Sequence, residues 1–364
     1  MTATLPTREP ATSPQPRRAV RVGPFSGVYR PRRLVVPLAV LVMLVGAAAL
    51  SLGRGDFPIS VPDVLGVLLG AGEDTQRFIV LELRAPRIVV AVLVGLALGL
   101  SGALIQTFAR NPLASPDILG VTQGAAIGAV AVIVLGGTTT TAGGLLGGIG
   151  VPAAALAGGL VASFLVFGLA WRQGLDGYRL VLIGIGLSAM AMAVVQYMLT
   201  RSAIWDAAAA NVWITGSLNG RGWDQAQPLA LALVVLVPLA LAMGRVLGVL
   251  QFGDETARSL GVRVPLAQGA VVVVGVALAA FAVSAAGPIQ FVALVVPQIA
   301  VRLAGGSRPP LIASGLLGAL LLVTSDLVAR TVLPETFPVG VLTAVVGAPY
   351  LLWLLVRGRR RSTL

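Results

Sequence analysis

The chain has 364 residues, 57% of them apolar, and its 26 basic and 14 acidic residues leave a formal net charge of +12. Soluble domains carry about a quarter charged residues, so 11% charged residues with a mean hydropathy of +0.93 indicate a polytopic helical membrane protein. Cys, His and Lys are all absent and every basic residue is Arg, which excludes a Walker A loop, a pyridoxal Schiff base, a His-based triad and most zinc or haem sites.

Residues 1–33 carry seven arginines (Arg8, Arg17, Arg18, Arg21, Arg30, Arg32 and Arg33) against the single acid Glu9, with five prolines before Pro31. That composition cannot bury a core and predicts a disordered cytosolic tail near anionic headgroups. Apolar stretches then follow at 34–52, 86–108, 118–136, 150–171, 179–200, 228–249, 265–286, 288–304, 310–331 and 338–357. Each approaches the roughly 20 residues of a spanning helix. The expected fold is therefore all-α, a transmembrane domain over 34–357 with about ten spans, followed by a basic cytosolic C-terminus at 358–364.

Ten spans place both termini on one side. With the tail inside, the inner segments hold 19 arginines and the outer turns seven, namely Arg54, Arg77, Arg84, Arg87, Arg201, Arg221 and Arg330. This is the positive-inside asymmetry, and it accounts for the net charge without nucleic acid.

Within the spans, Gly95, Gly99 and Gly102, and again Gly120, Gly124 and Gly128, lie at three- or four-residue spacing. Such spacing lets helices approach closely, and packing is favoured over a moving interface. Gly95-Leu96-Ala97-Leu98 matches Gly275-Val276-Ala277-Leu278, a short internal echo. Gln106, Gln123, Gln196 and Gln298 are pathway candidates, open between interhelical hydrogen bonds and a water-lined path. Asp326 stands four residues before Arg330, so a structural ion pair is preferred to a proton relay.

Two loops depart from plain connectors. Arg110-Asn111-Pro112-Leu113-Ala114-Ser115-Pro116-Asp117 has its backbone fixed by two prolines. Downstream, Gly253-Asp254-Glu255-Thr256-Ala257-Arg258-Ser259-Leu260-Gly261 carries helix start and stop signals around about two turns. It predicts a short helix, too polar to span, on the cytosolic face.

These segments resemble the FecCD-type (BtuC-like) permeases of ABC importers. The resemblance runs from about 34 to 357 and rests on Leu83-Arg84-Ala85-Pro86-Arg87, Ser101–Gln106 leading into Arg110–Ala114, and Gly120–Ala125. Gly287–Val292, Pro338–Val341 and Gly347-Ala348-Pro349 extend it. Ser115–Gly120, Trp213–Asn219 and Pro297–Ala300, with Gln298 where many members have His, are most similar to the second permease of ferric-enterobactin and hydroxamate systems.

The resemblance implies a type II importer permease fold, a heterodimer with a second related permease, two ATPase subunits that hold ATP and Mg, and an extracytoplasmic binding protein delivering a ferric siderophore. Haem or cobalamin is the alternative cargo. It implies that 253–261 is the coupling helix, with Ala257 on the face entering the ATPase groove. Asn111 and Leu113 would form the inner gate, and Arg84, Arg87 and Arg330 would dock the binding protein. For those arginines, lipid anchoring or pairing with Glu82 or Asp326 is the competing reading. An ion-coupled secondary transporter would need midplane carboxylates, and Asp326 is the sole candidate. An intramembrane hydrolase fails as well: Gly186-Leu187-Ser188-Ala189-Met190 lacks the last glycine of a nucleophile elbow.

Overall fold

All ten apolar stretches fold as helices in the computed structural model, which describes residues 19–22, 25–28, 31–55, 57–135, 150–171, 177–332 and 337–359. In chain order, α1 spans Arg32–Gly53, α2 Val61–Leu68 and α3 Asp74–Arg77. A π-helical turn, Phe78–Arg84, leads into α4, Ala85–Phe108. A 3-10 turn at Pro116–Leu119 precedes α5, Val121–Leu135, which is followed by α6, Gly150–Ala170, and α7, Gly177–Arg201. Next come α8, Ile204–Ile214, α9, Trp223–Leu250, α10, Asp254–Ser259, and α11, Val264–Ala286. The last three are α12, Val292–Ala304, α13, Leu311–Thr331, and α14, Val339–Arg359.

Seven of these segments are long and apolar enough to cross a membrane, α3 to α4 counting as one run of 35 residues, Asp74–Phe108. The other three, α5, α12 and Val339–Trp353 of α14, are shorter apolar helices. At about 1.5 Å per residue a helix the length of α5 or α12 falls short of the hydrocarbon core. Irregular backbone makes up the difference. Between α11 and α12 the chain turns at Gly287 (φ 74°) and Phe291 (φ 66°). Pro288 and Ile289 lie buried there, so the broken stretch is sheltered by protein, as irregular backbone at membrane depth must be. Nearby, Ser217 N–H donates to the carbonyl of Ala286 at 2.9 Å, and Gly340 N–H to that of Gly216 at 3.1 Å.

Three short helices lie outside the expected spans. Ser60 caps α2 by accepting from Asp63 N–H, α3 starts the long run, and α8 carries the alanine-rich Ile204–Ile214. The tail also departs from expectation. Ala19–Val22 (β1) and Phe25–Val28 (β2) pair as antiparallel strands, and α1 begins at Arg32. Val20, Val22, Phe25 and Val28 have strand propensity and flank a Gly-Pro step, so this piece of the tail is less polar than the whole. Residues 1–18 lie outside the described part.

Helices α4 and α11 form the centre, most of their residues being buried. α4 packs on α13, α11, α9 and α12, while α5 packs on α6, α7 and α8. The glycine series seat these contacts. A Cβ at Gly102 would stand 1.8 Å from the carbonyl oxygen of Ala293 on α12, and one at Gly124 would stand 2.3 Å from that of Gly158 on α6. The internal echo falls on adjacent helices, where Ser101 Oγ donates to the carbonyl of Gly275 at 2.6 Å. By contrast, α1, α7 and α9 present Leu38, Leu182 and Val234 outward, as lipid-facing helices do.

Gly102→Ala should therefore force α4 from α12 and lower stability in detergent by about 1–3 kcal/mol. Gly46→Ala, where nothing lies within 4 Å, should be neutral or better. Unfolding midpoints of the two variants test this, and equal midpoints would refute it.

Contacts sort the turns into two ends. Arg110 meets Asp254, Arg308 meets Gly244, and Arg302 meets Tyr350 at one end. Arg84, Arg87 and Arg330 meet Phe57, Asp326 and Ser51 at the other. The start of α1 and the second half of α14 share the arginine-rich end.

Candidate functional site

At the end opposite the arginine-rich turns, one carboxylate organises two guanidinium groups. Arg87 Nε and Nη2 donate to Asp326 Oδ1 at 3.0 and 2.7 Å, and Arg330 Nε donates to Asp326 Oδ2 at 3.0 Å. Arg330 Nη2 also donates to Ser51 Oγ at 2.5 Å, which ties α13 to α1. Asp326 is 1% exposed, whereas the arginine side chains are 18% and 14% exposed. The expected intrahelical pair thus exists and gains a second arginine from α4. A guanidinium fork suits this bidentate geometry.

Arg84 differs from the outward orientation expected of a docking residue. It is buried, and its Nη1 and Nη2 donate to the carbonyls of Leu52 and Phe57 at 2.7 and 2.6 Å. It holds the segment after α1 in place. Arg84, Arg87 and Arg330 still share the wall of one cavity of about 340 Å³ with Gly55 and Phe57. Glu82 is exposed.

At the arginine-rich end, α10 forms between two glycines of positive φ, Gly253 (99°) and Gly261 (81°). Ala257 does not point outward. It is fully buried against Leu250 and Val264, because a helix of six residues hung between α9 and α11 must turn one side onto them. The outward residues are Glu255, Thr256, Arg258, Ser259 and Leu260, with Phe252 just before the helix. Phe252 and Leu260 are 74% and 64% exposed.

The first residue of α10 is joined to the 110–120 loop. Arg110 Nη2 donates to Asp254 Oδ1 and to the carbonyl of Leu250, each at 2.7 Å. Arg110 has φ 49°, a left-handed conformation costing a side-chain-bearing residue about 1–2 kcal/mol. Beside it, Asn111 Oδ1 accepts from Leu113 N–H at 2.9 Å, closing an Asx turn. The loop is thus fixed locally by Asn111 and to α10 by Arg110.

The glutamines divide three ways. Gln298 Nε2 donates to Gln106 Oε1 at 2.6 Å, and Gln106 Nε2 donates to the carbonyl of Leu294 at 2.8 Å. The interhelical hydrogen bond is thus present, and the same two residues line a cavity of about 410 Å³ with Arg110, Asn111 and Gln251. Gln123 lines a second cavity of about 210 Å³ with Asp117, Thr122, Ser188, Gln290 and Phe291. Gln196 is exposed on α7 and lines neither. Among the described residues only Arg110 and Phe291 combine a side chain with positive φ, and each borders one of these cavities. Backbone strain of this kind gathers at functional sites.

Asp117 and Gln290 were not picked out from the sequence. The Pro-Asp-Ile-Leu-Gly turn offered a signal, an acid at the mouth of a small-residue helix. Asp117 accepts a hydrogen bond from the Thr122 hydroxyl. Among the described residues no His, Cys, Asp and Glu cluster could hold a metal ion.

The profile of the FecCD transport family matches residues 41–357. The chain is 38% identical over 337 residues to the ferric enterobactin transport system permease protein FepG of Escherichia coli K12, covering 92% of this chain and 100% of the relative. It is 40% identical over 285 residues to the cobalamin import system permease protein BtuC of Halobacterium salinarum, covering 78% and 74%. A solved structure described as an inward-facing metal-chelate type ABC transporter superposes with a TM-score of 0.78 at 28% identity, covering 89% of this chain and 99% of that one. With helices, loops and matches in agreement over this length, the chain belongs to the FecCD transport family and is a membrane permease subunit of an ABC importer.

Proposed function

We propose that this permease carries a ferric siderophore inward across the cytoplasmic membrane, driven by ATP hydrolysis in two separate ATPase subunits that hold the ATP and Mg. The observation that carries the coupling part is the Arg110–Asp254 bridge at 2.7 Å. It joins α10, the helix offered to an ATPase groove, to the loop of Asn111 and Leu113, the inner gate. In this reading movement of α10 reaches the gate directly, and the strained Arg110 is where the loop gives way. The exposed Phe252 and Leu260 supply the apolar contact with the ATPase.

The opposite end faces outward in this reading, with both termini cytosolic. Arg87 and Arg330 line an open cavity there, and their guanidinium groups suit acidic residues on the binding protein. Arg84 supports that surface from below. A second, related permease completes the path, and the Gln106–Gln298 and Gln123 cavities line this chain's share of it. The siderophore assignment rests on the full-length match to FepG and on Gln298 in place of His.

A deletion strain fed single iron sources tests the cargo. Loss of uptake of one ferric siderophore, with haem and cobalamin uptake intact, is expected. Loss of cobalamin or haem uptake alone would overturn it. The purified chain should show no ATP hydrolysis, having no Lys for a P-loop, and activity above a contaminant control would contradict the division of labour.

A further inference from the structure

The arginine-rich end holds a cavity that neither the gate nor the coupling helix uses. It has a volume of about 350 Å³ and lies between the start of α1, the second half of α9 and the turn joining α12 to α13. Arg33, Arg245 and Arg308 line it, and no Asp or Glu does. The remaining wall is largely apolar and includes Pro37, Leu241 and Ile312. Leu241 and Ile312 are themselves 39% and 55% exposed, so the cavity opens along helix faces that meet lipid tails.

Arg308 is built into this site rather than swinging over it. Its Nη1 donates to the carbonyl of Gly244 at 2.9 Å. A Cβ at Gly248 would stand 2.7 Å from the same nitrogen, so the guanidinium lies in a groove that glycine leaves on α9. A guanidinium has five N–H donors, and this bond uses one. Close by, Arg302 stacks over Tyr350 and Trp353, an arrangement typical of headgroup depth.

We propose that this cavity binds the phosphate of one anionic phospholipid, with Arg33, Arg245 and Arg308 around the headgroup and the acyl chains running along Leu241 and Ile312. Basic pockets between membrane helices recognise lipid phosphates in this way. Free phosphate shares the charge but has nothing to place on the apolar wall, so the lipid is the ligand. The site shares Thr107 and Pro309 with the cavity of Gln106 and Gln298 but opens between different helices, and it does not rest on the coupling role of α10.

The full chain, purified in neutral detergent and stripped of lipid, is titrated with phosphatidylglycerol, phosphatidylcholine or inorganic phosphate, and bound lipid is read by native mass spectrometry. Phosphatidylglycerol should bind at least about tenfold more tightly than phosphatidylcholine, and Arg245→Gln with Arg308→Gln should weaken it about twenty-five-fold, at about fivefold per arginine. Phosphatidylcholine binding should not move. Arg302→Gln, a basic residue outside the cavity, should leave phosphatidylglycerol binding unchanged. If the Arg308 variant fails to fold, Arg33→Gln with Arg245→Gln, both exposed positions, gives the same reading. Equal binding of the two lipids, undiminished binding in the double variants, or displacement of the lipid by equimolar inorganic phosphate would overturn the proposal.

Discussion

Asp326→Ala should destabilise the folded chain by about 3–5 kcal/mol, the range for removing one partner of a buried ion pair. The carboxylate is 1% exposed and holds Arg87 and Arg330 together. Without it the two guanidinium groups at the α1–α4–α13 junction lose the carboxylate that joins them. Arg87→Leu with Asp326→Leu should cost less than Asp326→Ala alone, since replacing a buried pair by apolar groups is often neutral. Chemical unfolding in detergent of the variants in a double-mutant cycle measures this. A loss below about 0.5 kcal/mol for Asp326→Ala, within the usual range for surface changes, would show that water screens the cluster. The result also bears on docking experiments. Reversing Arg87 would set two carboxylates against each other, so lost docking there would report misfolding. Arg87→Gln is the sounder probe of the outer face.

Aspartate at both Phe252 and Leu260 should abolish ATP-driven transport while leaving the fold intact. Each exposed apolar side chain that anchors an interface is worth about 2 kcal/mol or more, so association with the ATPase should weaken at least thirtyfold per site. Ala257→Arg should act differently, because Ala257 is fully buried in the small cluster with Leu250 and Val264. It should lower the unfolding midpoint, and transport would fail only as a consequence. Gly261→Val, at φ 81°, lies between the two, with a strain of about 1–2 kcal/mol in the stop of α10. Co-purification with the ATPase, transport rate and unfolding midpoint, measured together, separate these outcomes. Transport at wild-type rate in the Phe252/Leu260 variant would remove α10 from the coupling role.

The ten helices were legible because a spanning segment must satisfy its whole backbone internally and present apolar side chains over nearly its full length. Arg330 and Asp326 were legible as a pair because four residues on one helix make a local pattern. Arg87 joins them from a position 239 residues away, and no spacing rule reaches across that distance. The buried side of α10 was illegible for a different reason. Six residues contain too few turns to define an apolar face, so burial of Ala257 is decided by the helices on either side. Helix α8 escaped because Ile204–Ile214 is too short for a span, and Asp117 because a single acid in a turn carries no periodic signal. Of the four glutamines the sequence treated alike, three line the two cavities described above and Gln196 lines neither. Residue type marked the candidates, and tertiary packing chose among them.

The two charged clusters sit at opposite ends and differ in their access to water. Arg110 and Asp254 are 48% and 41% exposed, whereas Asp326 is 1% exposed. At physiological ionic strength the screening length is about 8 Å, and it shrinks to about 3 Å near 1 M salt, which weakens exposed pairs far more than buried ones. The hold of α10 on the 110–120 loop is therefore adjustable by the surrounding electrolyte, while the α1–α4–α13 junction is not. With the proposed coupling role for this bridge, the expectation is that concentrated salt uncouples ATP turnover from cargo movement well before it unfolds the chain.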